Sequence, residues 1–414
     1  MGYRLLKVIT AYPQFCETFL AENPDYKTLS YHALYERLVG TGYALSTTLY
    51  AKYMPASGNE AQDVFVSIEP LQKAWARENG VRYGETTWFK DIVCAQVRSF
   101  RPDAIYLQDL YVFDQSFRRL LREVSGKRVI LLGWRASPTK DFSIFSDLDL
   151  VLTSDQRFVE MFRRHSTNAA FIPISFEPAL VDLVEPSVDR HLDFTFAGSL
   201  HMEEGFHRGR YAMIDQVMKT TPLELWTNLY DDVNVSINDI MYHWGLFTVN
   251  RALAKLGLSK EARQGLPFLH RGAVWAEDPT ALARRWRKYR DRIHGPIFGL
   301  KYYELLANSK IVFNSHIDSA TDYAGNIRLY EATGMGACLV TDWKGNLPDL
   351  FDPELEVVTY RSAQECTEKV RFLLSHDKER EAIGSAGQRR TLRDHTHEKR
   401  VQTVDQLILG LLAS

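Results

Sequence analysis

The chain is expected to fold as two consecutive α/β units, each built on a parallel sheet, because three features of the sequence agree. Its 414 residues suit about two domains, at roughly 100 to 200 residues each. Short apolar runs alternate with amphipathic stretches, the pattern of parallel strands covered by helices on both faces. The alternation pauses at Ser175-Phe176-Glu177-Pro178 and resumes after a polar stretch. Two such units imply a cleft.

In the first unit, residues 1–185, strands are expected at 5–11, 64–68, 104–108, 129–132, 148–153 and 170–174. Runs such as Ala104-Ile105-Tyr106-Leu107 are apolar throughout, as befits strands buried on both faces. Helices fall between most of them, at about 28–39 and at Trp88–Phe100, where Ile92, Val93, Val97 and Phe100 recur at helical spacing. The boundary is set near residue 185, in a stretch holding Pro186 and Asp189. The second unit, 186–396, repeats the alternation with strands at 194–197, 223–226, 311–314, 337–341 and 356–360 and a helix near 211–218. Between them, about 229–299 reads as a mainly helical insertion. A last helix, within 397–414, is expected to cross back and pack on the first unit.

Composition excludes several classes. With 45% hydrophobic and 25% charged residues, the chain is an ordinary globular protein. A formal charge of −2 and a pI near 6.6 give no broad basic surface for nucleic acid. Cys16, Cys94, Cys338 and Cys366 lie far apart without metal-ligand spacing, so a reducing compartment, the cytoplasm, is expected. No run of about 18 apolar residues occurs, and none of the chain is expected to cross a membrane. His395 and His397 stand two apart, a poor pairing for a metal on a helix; Thr396 reads instead as the N-cap of the last helix. No metal or other cofactor is expected. The basic, aromatic segment Arg284 to Arg292 is either a solvated helix face or a contact for an anionic or lipid-linked acceptor or a membrane surface.

The densest chemical signal is Gly325-Asn326-Ile327-Arg328-Leu329-Tyr330-Glu331-Ala332-Thr333-Gly334-Met335-Gly336, directly before an apolar strand. Asn326 suits an N-cap and Gly336 a stop, predicting a short helix over 327–335 with its N-terminus toward the cleft. Such a terminus favours a diphosphate, and Arg328 adds a charged donor. Glu331, three residues on, shares that face and suits the two hydroxyls of a ribose. The alternative is a surface ion pair worth about 0.3–0.5 kcal/mol. At Phe196-Ala197-Gly198-Ser199-Leu200 a strand runs into a glycine, either a plain turn or a place where backbone N–H groups approach phosphate. His316, after Asn314 and Ser315 at another strand end, is read as a contact to diphosphate or sugar, or as a structural hydrogen-bond donor. Trp226-Thr227-Asn228 either flank a nucleobase or belong to the core.

The 325–336 segment resembles the C-terminal module of GT-B glycosyltransferases, specifically the CgeB-like (spore maturation protein) group, in which an Asn-x-Arg-x-aromatic-Glu-Ala segment precedes a small-residue strand. The stretches 299–314, 346–351 through His395-Thr396, 69–76, 101–109 and 149–154 are similar to the same group, so the likeness covers most of the chain except the insertion. The resemblance implies two facing Rossmann-like domains, a nucleotide-diphosphate sugar donor bound through Gly198, Ser199, His316, Asn326, Arg328 and Glu331, and no essential metal. The acceptor stays open: glycan, protein, lipid or small molecule. Many retaining members carry a second glutamate eight residues before the ribose-binding one; here that position is Tyr323, beside Asp322, so retention or inversion is open. An inverting reaction needs a base for the acceptor hydroxyl. Asp109, ending an apolar strand of the first unit, is the candidate, its alternative being a cap for the turn at Leu110-Tyr111; Ser137 and Asp141 are further acceptor-side candidates. A nucleotide-sugar epimerase, a phosphorylase and a non-catalytic partner subunit on the same fold are the rival readings.

Overall fold

The computed structural model describes residues 2–184, 190–200, 208–267 and 269–414; the boundary expected near residue 185 falls outside them. Twelve strands among the described residues form two parallel six-stranded sheets. In the first sheet, β1 (Arg4–Ile9), β2 (Glu60–Phe65), β3 (Ala104–Leu107), β4 (Ile130–Trp134), β5 (Leu150–Thr153) and β6 (Ala169–Phe171) lie in the order 2-1-3-4-5-6. In the second, β7 (Leu192–Ala197), β8 (Glu224–Trp226), β9 (Ile293–His294), β10 (Ser309–Asn314), β11 (Cys338–Asp342) and β12 (Val358–Tyr360) lie in the order 12-11-10-7-8-9. Both orders reverse direction once, between β1 and β3 and between β7 and β10. These are the switch points at which open α/β sheets bind ligands.

Burial explains the strands. All four residues of β3 and of β5 are buried, because helices cover each face of the sheet. One face packs Val93, Val97 and Phe100 of the helix Trp88–Phe100 with Phe117, Leu121 and Phe162. The other packs Val401, Val404 and Ile408 of the last helix, His397–Ala413, against Leu5, Tyr106 and Leu132. Thr396 caps that helix, accepting the Lys399 N–H, and Asp405 anchors it by accepting the Tyr3 hydroxyl at 2.8 Å. Each expected strand is present with shifted ends, the largest displacement being 64–68, which forms as Glu60–Phe65. The two-residue β9 was not expected: Ile293-His294 has no apolar run to mark it, and it pairs only as an edge beside β8. It closes the 229–299 segment, whose longest helix is Ile237–Lys255.

The halves are held together. An apolar cluster runs from Phe15, Leu34 and Leu38 across to Leu306, Leu329 and Tyr330. The Leu300 N–H donates to the Thr41 carbonyl at 2.6 Å, and Arg157 donates to the Ala320 carbonyl at 2.9 Å.

Candidate functional site

Parallel strands aim their carboxyl ends at the gap between the halves, so the turns after β1, β3, β4, β6, β7, β8 and β9 line one cleft. Its volume, about 1380 Å³, exceeds the roughly 300–1,000 Å³ of a typical small-molecule pocket, leaving room for two ligands side by side.

At the β7–β10 switch point β7 ends and Gly198 turns the chain with φ +156°. A Cβ there would sit 2.7 Å from Nη2 of Arg328 and would displace the guanidinium. The Arg328 guanidinium lies over the Phe196 ring, 4.8 Å from its centroid, and its Nε is buried without a hydrogen-bond partner. Arg210, in the first turn of the helix Arg208–Thr220, approaches the same place. Its Nε donates to the Ser315 carbonyl at 2.8 Å and its Nη1 to the Ser199 carbonyl at 3.4 Å. Burial, and then the positive charge of Arg328, push the Arg210 guanidinium down to about 10. Among the described residues no carboxylate forms an ion pair with either arginine. Two like charges, both half-buried beside a bare backbone turn at the cleft, can seat a polyanion. Arg210 was missed because nothing in Arg208-Gly209-Arg210 distinguishes it from a surface arginine.

The helix bearing Arg328 runs Arg328–Gly334 and ends as expected: Gly336 has φ +71°, its N–H donates to the Thr333 carbonyl and that of Ala337 to the Ala332 carbonyl. Its start differs. Ile327 occupies the N-cap position, and no side chain caps it. The Asn326 side chain instead exchanges hydrogen bonds with the buried Asn314 amide, donating to Asn314 Oδ1 at 2.6 Å, because that amide has no water to satisfy it. Asn326 still lines the cleft.

Glu331 also lines the cleft and is 5% exposed. Its Oε2 accepts the Tyr302 hydroxyl at 2.7 Å and its Oε1 the Tyr303 hydroxyl at 3.2 Å. Burial raises its carboxyl above the ordinary range; Tyr302, Arg328 and Tyr303 oppose the rise. A carboxylate has about four acceptor positions, so two remain for a pair of hydroxyls. The surface ion-pair alternative is excluded by this burial.

His316 does not reach the cleft. It is buried, its Nδ1 lies 2.7 Å from Asp342 Oδ1, and its backbone N–H donates to the same oxygen at 3.0 Å. Burial opposes ionisation of Asp342, but His316 and Lys344 hold its carboxyl at about 2. The pairing makes His316 a structural hydrogen-bond partner of Asp342, the second of the two readings of this residue. Asp322 is likewise diverted: it accepts the Gly345 N–H at 3.0 Å and lies outside the cleft lining. Asp141 accepts from the Ser143 N–H and hydroxyl.

On the opposite rim Asp109 lines the cleft, and its Oδ1 accepts the N–H groups of Tyr111 and Val112 at 2.9 and 3.2 Å. It therefore caps the turn and faces the gap at once. Ser137 and Ser199 also line the cleft. So does Trp226, stacked on His294 at 4.3 Å between centroids, while Asn228 ties down the turn after β7 by accepting the Leu200 N–H at 2.8 Å.

Residues 251–406, under half of the chain, match the family model described as glycosyl transferase-like. Compared by sequence with curated proteins, the chain matches none. Among solved structures it is similar to Anabaena HepE in complex with UDP and glucose, with a TM-score of 0.56 and 11% identity over 99% of this chain and 100% of that one. It is also similar to sucrose-phosphate synthase from Thermosynechococcus elongatus, with a TM-score of 0.53 and 12% identity over 99% of each chain. A third is AviGT4, a glycosyltransferase of avilamycin A biosynthesis, with a TM-score of 0.50 and 12% identity over 100% of this chain and 98% of that one. At such identities the likeness speaks to the fold, which is GT-B. No helix among the described residues is long and apolar enough to cross a membrane.

Proposed function

We propose that this protein is a CgeB-like GT-B glycosyltransferase that moves a hexose-type sugar from a nucleoside-diphosphate sugar to an acceptor bound on the N-terminal side of the cleft, without a metal ion. The observation that carries this reading is the pair of guanidinium groups, Arg210 and Arg328, converging on Gly198 without a carboxylate partner among the described residues. As the bond from the sugar to the diphosphate breaks, its electron pair moves onto the phosphate oxygens, where the two arginines stabilise it. Glu331, oriented by Tyr302 and Tyr303, accepts the ribose hydroxyls. Asp109 is the carboxylate that the N-terminal rim turns to the cleft, among the described residues, and it takes the proton of the acceptor hydroxyl as the new bond forms. The four free cysteines fit a cytoplasmic setting, where thiols stay reduced.

The test is binding followed by turnover. Thermal melts with UDP, GDP, TDP, CDP and ADP should show one clear winner, stabilising by about 2.7 kcal/mol at 100 times its dissociation constant; UDP is tried first because HepE holds it. The matching donor should then lose its sugar to an acceptor pool with EDTA present. A sugar interconverted without acceptor would make the protein an epimerase, and the absence of any nucleotide effect would refute the donor site. Loss of turnover with EDTA, restored by a divalent ion, would refute the metal-free mechanism.

A further inference from the structure

The insertion between β8 and β9 carries a surface that the cleft does not use. Its longest helix, Ile237–Lys255, turns Ile240, Leu246 and Asn250 inward. Asn250 Nδ2 donates to the Leu246 carbonyl at 3.0 Å and the Leu269 carbonyl at 3.1 Å, fastening the helix to the rest of the insertion. Beside Ile240 on the same helix, Ile237, Met241 and Trp244 recur at i, i+4 and i+7 and are 55%, 63% and 42% exposed. Tyr242, Val249 and Leu256, roughly a third of a turn away around the helix and just past its end, are exposed as well. An amphipathic helix of a globular domain turns such a stripe to the core, whereas this one turns it to water.

The insertion is rich in positive charge. From Ile237 to Arg292 the sequence has eleven Lys and Arg against five Asp and Glu, a net of +6 in a chain whose total is −2. Lys255 continues the line of Ile237, Met241 and Trp244 five turns along, and Arg284 lies 5.2 Å from the Trp244 ring centroid. Aromatic and aliphatic anchors bordered by cations match one partner in chemistry, a bilayer surface with anionic headgroups: apolar side chains enter the acyl boundary while lysine and arginine stay at the phosphates.

We propose that the helix Ile237–Lys255 docks the protein on an anionic membrane surface through Ile237, Met241 and Trp244, with Arg251, Lys255 and Arg284 at the headgroups. Both roots of the insertion, Asn228 and Pro296 to Phe298, line the cleft, so docking holds the cleft mouth beside the lipid. On the transferase reading this brings lipid-borne acceptors within reach, but the docking itself does not depend on that reading.

The full chain is mixed with sedimentable vesicles of phosphatidylcholine alone or with an equal share of phosphatidylglycerol, at low and high salt. It should pellet with the mixed vesicles, weakly with the neutral ones, and high salt should release it. The double variant M241S/W244S alters only exposed side chains and should lose vesicle binding about tenfold or more, with its melting temperature unchanged. Failure to bind the mixed vesicles overturns the proposal. Binding that the double variant retains overturns it too, since charge alone would then account for the attraction. If sedimentation velocity shows a dimer that the double variant dissociates, and vesicles are not bound, the stripe belongs to a second copy of the chain instead.

Discussion

Replacing Arg210 by methionine separates a ligand seat from a structural arginine, because the two make opposite demands on stability. Its guanidinium is pushed down to about 10, from an ordinary 12.5, by burial and by Arg328. A fall of that size corresponds to about 3 kcal/mol of work against keeping the charge. Methionine fills the same channel and removes that work, but it leaves the Ser315 and Ser199 carbonyls without their donor, at about 0.5–1.5 kcal/mol each. The two effects nearly offset, so the unliganded variant should melt within about 1–2 kcal/mol of the parent. Binding of the diphosphate should suffer far more. A charge-assisted bond to phosphate contributes about 1.5–3 kcal/mol, which is about 10- to 150-fold in the dissociation constant. Calorimetric titration with the preferred nucleoside diphosphate, alongside melts without ligand, reads both. Unchanged affinity combined with a large loss of stability would show that Arg210 is a strut, and the anion seat would fall with it.

The same seat predicts that Gly198→Ala forces Arg328 aside and strains a backbone at φ +156°, costing about 1–3 kcal/mol of stability together with a loss of nucleotide affinity seen by titration; wild-type affinity would show that the turn does not touch the ligand. Glu331→Gln keeps the shape but gives up the charge that, in the proposed donor site, holds ribose hydroxyls, so affinity should fall about 5- to 30-fold, with the nucleoside diphosphate more affected than inorganic pyrophosphate. Glu331→Ala is a poorer probe, because it strips Tyr302 and Tyr303 of their acceptor. Acid sensitivity follows from His395, which burial holds down to about 4 against an ordinary 6.5. As pH falls from 6.5 to 4 the unfolded chain takes up a proton that the folded one refuses, so stability drops by up to about 3 kcal/mol. His395→Gln should flatten melting temperature against pH across that window, and an unaltered slope in the variant would assign the loss elsewhere.

Glu177 and Asp342 carry the acid response lower still. Burial opposes their ionisation, but His397, Lys52 and Tyr53 around the first, and His316 and Lys344 around the second, hold both carboxyls at about 2. Except for Lys344, two residues from Asp342, these partners lie far from each carboxylate in sequence, Lys52 reaching Glu177 across 125 residues, and no spacing rule links them.

The sheets and the cleft were readable from the chain alone. Strand burial on both faces leaves continuous apolar runs such as Leu150-Val151-Leu152, and a helix stop leaves a glycine such as Gly336, both written within a few neighbouring residues. The site was only half readable. Gly198, Arg328 and Glu331 stand where a turn and a short helix announce them, and the fold brings all three to one cleft. Only the tertiary structure decided that Arg210 joins them, that two tyrosines from a separate helix occupy half of the Glu331 carboxylate, that Asn326 serves Asn314 rather than a helix end, and that His316 turns inward to Asp342. In each case the partner of a polar group is the nearest one in space once water has been excluded, and a one-dimensional string carries no record of that distance.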